Sequence, residues 1–220
     1  MPDLNFRIEG AEPLRFAAVP TIGVRLHISE AVAPGGSSTP IHSVILRCQV
    51  RIEPARRSYT VEEKERLSDL FGTSDRWGQT LRPMLWTHVS VVVPSFEGSA
   101  DVELPIPCSF DFNLAATKYF AALDSGELPL CFLFSGTIFY EADDSALQVS
   151  QISSEKEAEF RLPAATWRSM MDHYYPNSAW LGLRKDVFNR FDQYRRDHGL
   201  PTWEQAMERL LASAEEAVPR

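Results

Sequence analysis

No GxSxG elbow, HExxH pair, GxGxxG turn or Walker loop occurs in the 220 residues. The sequence signatures of serine hydrolases, zinc peptidases and nucleotide-cradling enzymes are therefore missing. Cysteine is sparse: Cys48, Cys108 and Cys131 are far apart, and their odd number excludes a fully paired disulfide framework. The lack of CxxC removes zinc-ribbon and thioredoxin motifs, and free thiols in a reducing cytoplasm are expected. The five histidines, His27, His42, His88, His173 and His198, show no ligand-like spacing, so neither a metal nor a cofactor is expected. No apolar run approaches the ~18 residues that cross a bilayer. MPDLNFRIEG at the start has neither a basic nor an apolar leader region. The net charge of −8 argues against a nucleic-acid partner, whose binders carry a basic footprint.

What is present is patterned for an antiparallel sheet. IGVRLHIS sends Val24, Leu26 and Ile28 one way and Arg25, His27 and Ser29 the other. HSVILRCQVRIEP does the same with Val44, Leu46, Cys48, Val50 and Ile52 against Arg47, Gln49, Arg51 and Glu53. Period-two alternation is the mark of a half-buried strand. With the Gly-Ser-Pro loop AVAPGGSSTP between them, these two segments are expected to pair. LWTHVSVVVPSF, ADVELPIPCSF, SALQVSQIS and EAEFRLP add further strands. LPLCFLFSGTIFYE is apolar on both faces, as a central covered strand would be. Its Gly136 predicts a bulge or the close approach of another segment.

Helical signals interrupt and then follow the strands. Thr60 and Glu63 form a capping-box pattern ahead of Val61, Leu67, Leu70 and Phe71, with Gly72 as the stop. NLAATKYFAALDSG predicts a short helix that packs Tyr119 and Phe120 onto the sheet. After Pro163 come three helical patterns. The second carries Leu183, Val187, Phe188, Phe191 and Tyr194 on one stripe and stops at Gly199. The third has the box Thr202 and Gln205 and buries Trp203, Ala206, Met207, Leu210, Leu211 and Ala214. The expected fold is α+β: an antiparallel sheet or sandwich over about residues 20–162, packed against C-terminal helices, with short inserted helices. One domain is expected, β-rich over 1–162 and helical over 163–217.

Two surfaces stand out as candidate sites. RWGQTLRPMLW sets Trp77 and Trp86 among Arg76, Arg82 and Met84, residue types that enrich protein interfaces. Each tryptophan alone fits a core anchor equally well. Arg25 and His27 on one strand and Arg47 and Arg51 on the next are expected to share a face, with Arg56 and Arg57 directly after. Such a face suits an anionic ligand or an acidic partner segment. The competing reading is a solvated face neutralised by Gln49, Glu53 and the EEKE helix. A third constellation, Asp111, Lys118 and Tyr119, supplies polar groups for a sheet-lined cavity.

LRCQVRIEPARRSYT, LFGTSDRWGQTLRPMLW, PCSFDFNLAATKYFAAL and ELPLCFLFSGTIFYE together resemble an uncharacterised bacterial family, mostly actinobacterial, of about this length. Relatives encoded beside nickel–iron hydrogenase genes imply an accessory role in hydrogenase assembly. A looser architectural resemblance links the VILRCQV strand and terminal helices to the export chaperone SecB. The expected function is thus a cytoplasmic, non-enzymatic accessory protein that binds a protein client, such as a hydrogenase subunit or maturation factor. The alternatives are a small-molecule binder or enzyme with a cavity near Asp111, and a homo-oligomeric component built by edge-strand pairing.

Overall fold

The computed structural model describes residues 2–32, 37–108, 114–142, 146–178 and 181–217. The chain divides into two compact units, residues 1–177 and 178–220.

The first unit is built from two antiparallel sheets. Sheet A has the order β1 (Leu4–Pro13), β2 (Thr21–Glu30), β5 (Ser99–Pro107). Sheet B has β4 (Met84–Val93), β3 (Ile41–Ile52) and the long β6 (Glu127–Glu141). The far side of β6 pairs β8 (Glu157–Pro163) along its first half and β7 (Leu147–Gln151) along its second. The fold class expected from sequence is therefore present, as two sheets. Each sheet turns one face inward: Ile22, Val24, Leu26 and Ile28 from β2, Val44, Leu46, Cys48, Val50 and Ile52 from β3, and Leu128, Leu130, Phe132, Phe134 and Ile138 from β6 share one core. Phe6 stacks on Phe134 at 4.4 Å between ring centres, joining the sheets. β1 also runs beside β8, and β4 beside β5.

Two expectations about strands are corrected. β1 went unread, because its alternation breaks at a bulge between Ile8 and Gly10. β2 and β3 do not pair, since β2 lies between β1 and β5 and β3 between β4 and β6. Ladder partners here come from distant sequence, so adjacency along the chain did not decide them. β6 is central and covered on both faces over its first half, where Pro129 and Cys131 are buried opposite Leu130 and Phe132; from Ser135 on, its outward face opens to solvent. Gly136 fulfils its expectation. It sits at φ +144°, and a Cβ there would lie 2.0 Å from the Ile45 carbonyl oxygen. Only glycine lets β3 run this close to β6.

Short helices fill the ends. The capping box forms at α1 (Val61–Arg66), but the chain breaks at Leu67 before α2 (Ser68–Phe71). Leu67 and Phe71 are buried while Val61 is exposed, contrary to its expected apolar role. α3 (Trp77–Thr80) leads into β4, and α4 (Leu114–Ala121) sends Tyr119 and Phe120 into the core. α5 (Ala164–Tyr174) lies on β1, β2 and β8 with Trp167 and Met170 buried. The three cysteines are free and buried. Burial pushes the Cys48 and Cys108 thiols up to about 12.

The second unit is a helical hairpin of α6 (Lys185–Asp197) and α7 (Trp203–Ala217). Gly199, at φ +62°, turns the chain after α6, and Thr202 Oγ1 accepts the Gln205 N–H at 3.2 Å. Trp203 packs against Phe188 and Phe191, with the Arg195 guanidinium 4.6 Å over its ring. Among the described residues no helix is long and apolar enough to cross a membrane.

A candidate interaction face on sheet B

The strands of sheet B present an outward face on which register fixes the neighbours. Val92 of β4 opposes Ile45 of β3, and Phe139 of β6 opposes Val149 of β7. Leu147 lies at the β7 edge. Val92, Leu147, Val149 and Ile45 are 68%, 60%, 55% and 42% exposed, and Phe139 is half-buried. A patch of this kind is unusual on a surface that has no occupant, whereas single exposed aliphatics are ordinary. Moving along β3, Arg47 stands between Ser90 and Ser135, and Arg51 between Leu85 and Cys131. Neither arginine makes an ion pair among the described residues.

Beyond Arg51 the face opens into a cleft of about 800 Å³ lined by Ala55, Arg56, Arg57, Ser58, Gly126, Glu127 and Arg161. A smaller hollow of about 270 Å³ shares Arg56 and Arg161. Arg56 pairs with Glu159 in solvent. Arg57 is different: its side chain is 9% exposed and pairs at 2.9 Å with Glu63, which is 2% exposed. Arg57 also donates to the Glu127 and Ser125 carbonyls, and Glu63 accepts the Thr60 and Asp124 backbone N–H groups. This pair is a clamp on the loop before β6, fully supplied with partners as a buried charge must be. Behind it, the Tyr59 hydroxyl donates to the Pro54 carbonyl and accepts from Tyr119. Burial raises both phenols above their ordinary value, Tyr119 to about 12. Arg66 and Arg168 hold Asp124 from the other side. Arg161 alone of the three cleft arginines has no side-chain partner among the described residues. The cleft is thus near charge balance, with Arg161 free beside Glu127.

The residues singled out in the sequence are dispersed by this geometry. Trp77 and Trp86 are 8% and 3% exposed. Trp77 donates to the Gly72 carbonyl at 2.9 Å and meets Tyr59 and Phe71 edge-on, and Trp86 meets Phe120. Both rings are core anchors, so they cannot serve as contact surface on the folded protein. Arg76 and Arg82 are exposed and Met84 is half-buried beside them. Arg25 is on sheet A opposite Glu103, with its guanidinium over Gly10, and His27 is 2.7 Å from Asp101. Arg25 and His27 therefore do not share a face with Arg47 and Arg51, because β2 and β3 lie in different sheets. Lys118 is exposed and Tyr119 wholly buried, so these two do not line one cavity. Asp111 lies outside the described residues. Missed were Arg161 and the apolar patch. EAEFRLP carries Arg161 with no local motif around it, and the patch arises from four strands at once. Among the described residues no cluster of three or more His, Cys, Asp or Glu side chains is placed to hold a metal ion.

Fold and surface together define an antiparallel two-sheet protein with an uncovered mixed apolar and cationic face. The chain belongs to the family of unknown function DUF6084, whose model matches residues 1–219. No match was found among curated proteins.

Proposed function

We propose that this chain is a non-enzymatic accessory protein that holds a protein client on the outer face of sheet B. What supports it above all is the outward face of sheet B, where exposed Val92 and Ile45 on one side and Val149 and Leu147 on the other flank Ser43 and Thr137, with Arg47 and Arg51 farther along β3 in no ion pair among the described residues. Interface centres combine apolar area with arginine, whose flat guanidinium is weakly hydrated and forks onto carboxylates. The matching client segment is extended or helical, with aliphatic side chains at one end and an acidic residue at the other. The arginine cleft continues that surface and gives Arg161 to the same acidic end. The cellular setting we propose is cytoplasmic, with a nickel–iron hydrogenase subunit or maturation factor as the client implied by the family resemblance. A small-molecule reading has less support, because the cleft around Arg57 is open and close to charge balance.

The test is affinity capture of the full chain from its own cells, followed by quantitative mass spectrometry. Val92→Asp with Ile45→Asp, and separately Arg47→Glu with Arg51→Glu, are expected to lower recovery of the specific client at least tenfold. Arg25→Ala and Arg82→Ala, on other surfaces, are expected to retain it. Equal recovery from the sheet-B variants and the wild type would overturn the proposal.

A further inference from the structure

Sheet B ends on a bare edge. β7 pairs with β6 and with no other described strand, whereas β1 runs beside β8 and β4 beside β5. The ladder to β6 fixes where the β7 backbone points. Ile152 N–H donates to the Gly136 carbonyl and Ala142 N–H to the Ala146 carbonyl, and in an antiparallel pair every second residue bonds across. Between those two bonds, Gln148 and Ser150 turn their N–H and C=O groups toward β6. Leu147, Val149 and Gln151 turn theirs away, and none of the three makes a backbone hydrogen bond elsewhere among the described residues. Sheets guard such an edge with charge, proline or a bulge. β1, β5 and β8 all carry charged residues. β7 reads LQVSQ, with no charge and no proline, and it keeps one register throughout.

The strand is complementary to itself. A two-fold axis at Val149, normal to the sheet, sets Val149 against the partner's Val149 and Leu147 against the partner's Gln151. Every outward-turned N–H and C=O then meets one that is equally bare. On the outward face, Phe139 already lies opposite Val149. The middle row becomes Phe139, Val149, the partner's Val149 and the partner's Phe139, apolar from end to end. On the inward face the same register places the partner's Gln148 directly across from Ser150. Ser150 is 7% exposed, and its Oγ has no hydrogen-bond partner among the described residues. A buried hydroxyl in that condition is costly. Gln148 is exposed and brings an amide that both donates and accepts. The axis repeats this contact on its other side, so each copy answers the other's Ser150.

We propose that β7 pairs antiparallel with β7 of a second copy of this chain, centred on Val149, so that the two B sheets become one. The proposal does not rest on the client reading. The seam is made by the strand edge, and the outward faces of the two sheets stay open side by side.

Sedimentation velocity on the purified full chain tests it. A five-residue seam belongs to the small, transient class of interfaces, below about 1,200 Å², so association is read at about 100 micromolar, where the wild type is expected to dimerise. Val149→Lys and Val149→Glu each set like charges against one another on the axis. Each alone is expected to associate at least tenfold more weakly, with unchanged circular dichroism, and an equal mixture is expected to restore the dimer. Hydrogen exchange on the wild type needs no variant. The Val149 amide is expected to exchange at least tenfold more slowly at about 100 micromolar than at about 5 micromolar, while the Ser150 amide, bonded to β6, is protected at both. A wild type that stays monomeric overturns the proposal, including the case in which Val149→Cys cross-links to a strand of a different protein. Undiminished dimerisation of both charged variants, a mixture that does not re-associate, or a Val149 amide indifferent to concentration overturns it equally.

Discussion

Replacing Gly136 by alanine puts one methyl group where the Ile45 carbonyl already is. The Cβ would lie 2.0 Å from that oxygen and 3.1 Å from its carbon, both backbone atoms that cannot rotate away. The φ of +144° adds strain of about 1–3 kcal/mol for any residue with a side chain. β3 cannot retreat, because its other edge is bonded to β4 from Val44 to Ile52. The β6 backbone must move instead, which stretches the bond from Ile152 N–H to the Gly136 carbonyl and the neighbouring ladder. Losing two such bonds costs about 2 kcal/mol, for a total of about 3–5 kcal/mol. For a chain of this size that is a fall in Tm of roughly 6–20 °C. Thermal melts followed by circular dichroism, at matched pH and salt, measure it. Gly78→Ala is the control: nothing lies within 4 Å of its Cβ position, and alanine favours the helical backbone there. Its Tm is expected to stay level or rise slightly. A Gly136→Ala melt within about 2 °C of wild type would refute the claim that β3 and β6 are locked at this contact.

Glu63→Gln is expected to cost about 3–5 kcal/mol in urea unfolding, since it strands the buried Arg57 charge. Arg56→Gln breaks only the solvated pair with Glu159, and is expected to leave the urea midpoint close to that of the wild type. The native protein is expected to leave Cys48 and Cys108 unmodified by a disulfide reagent at pH 8, where both thiols are protonated and buried, and to titrate all three cysteines in denaturant. The same shifts make stability fall as pH rises above about 9: the unfolded thiols and phenols ionise first, while Cys48, Cys108, Tyr59 and Tyr119 keep their protons in the fold. A urea midpoint that is flat or rising between pH 9 and 11 would contradict that. Val92→Asp with Ile45→Asp sets two carboxylates directly across β4 and β3 and is expected to cost about 1–2 kcal/mol, so client recovery is read beside a circular dichroism spectrum that shows the sheet intact.

Period-two alternation made β2 and β3 legible, because a strand with one dry face records that face in every second residue. Their partners were not legible. The same alternation fits any neighbour, and here the neighbours of β3 are β4 and β6, the latter some eighty residues away. That single ambiguity broke up the proposed arginine face, sending Arg25 to sheet A and leaving Arg47 and Arg51 on sheet B. Trp77 and Trp86 could not be placed from composition, since a ring that anchors a core and one that anchors a partner are the same residue in the same polar company. Their burial is decided by Tyr59, Phe71 and Phe120, which arrive from three other elements. Gly136 was readable, because a glycine in the middle of an apolar strand has few other reasons to be there. The Thr60–Glu63 box was also readable, being a local bond within one turn. The deeper role of Glu63, as the counter-charge of Arg57 and the acceptor for Asp124, needed the loop before β6 and had no local trace.

The seam between β1 and β8 has a consequence for how the chain is made. Lys156 reaches Asp3 and Asn5, and Phe6 lies on Phe134, so the first strand is joined to residues more than 120 positions later. At ordinary translation speeds, the interval before those residues leave the ribosome is on the order of ten to thirty seconds. During that time the nascent amino-terminal hairpin keeps Leu4, Phe6 and Ile8 wet, and a chaperone that shields aliphatic strands would find its substrate there.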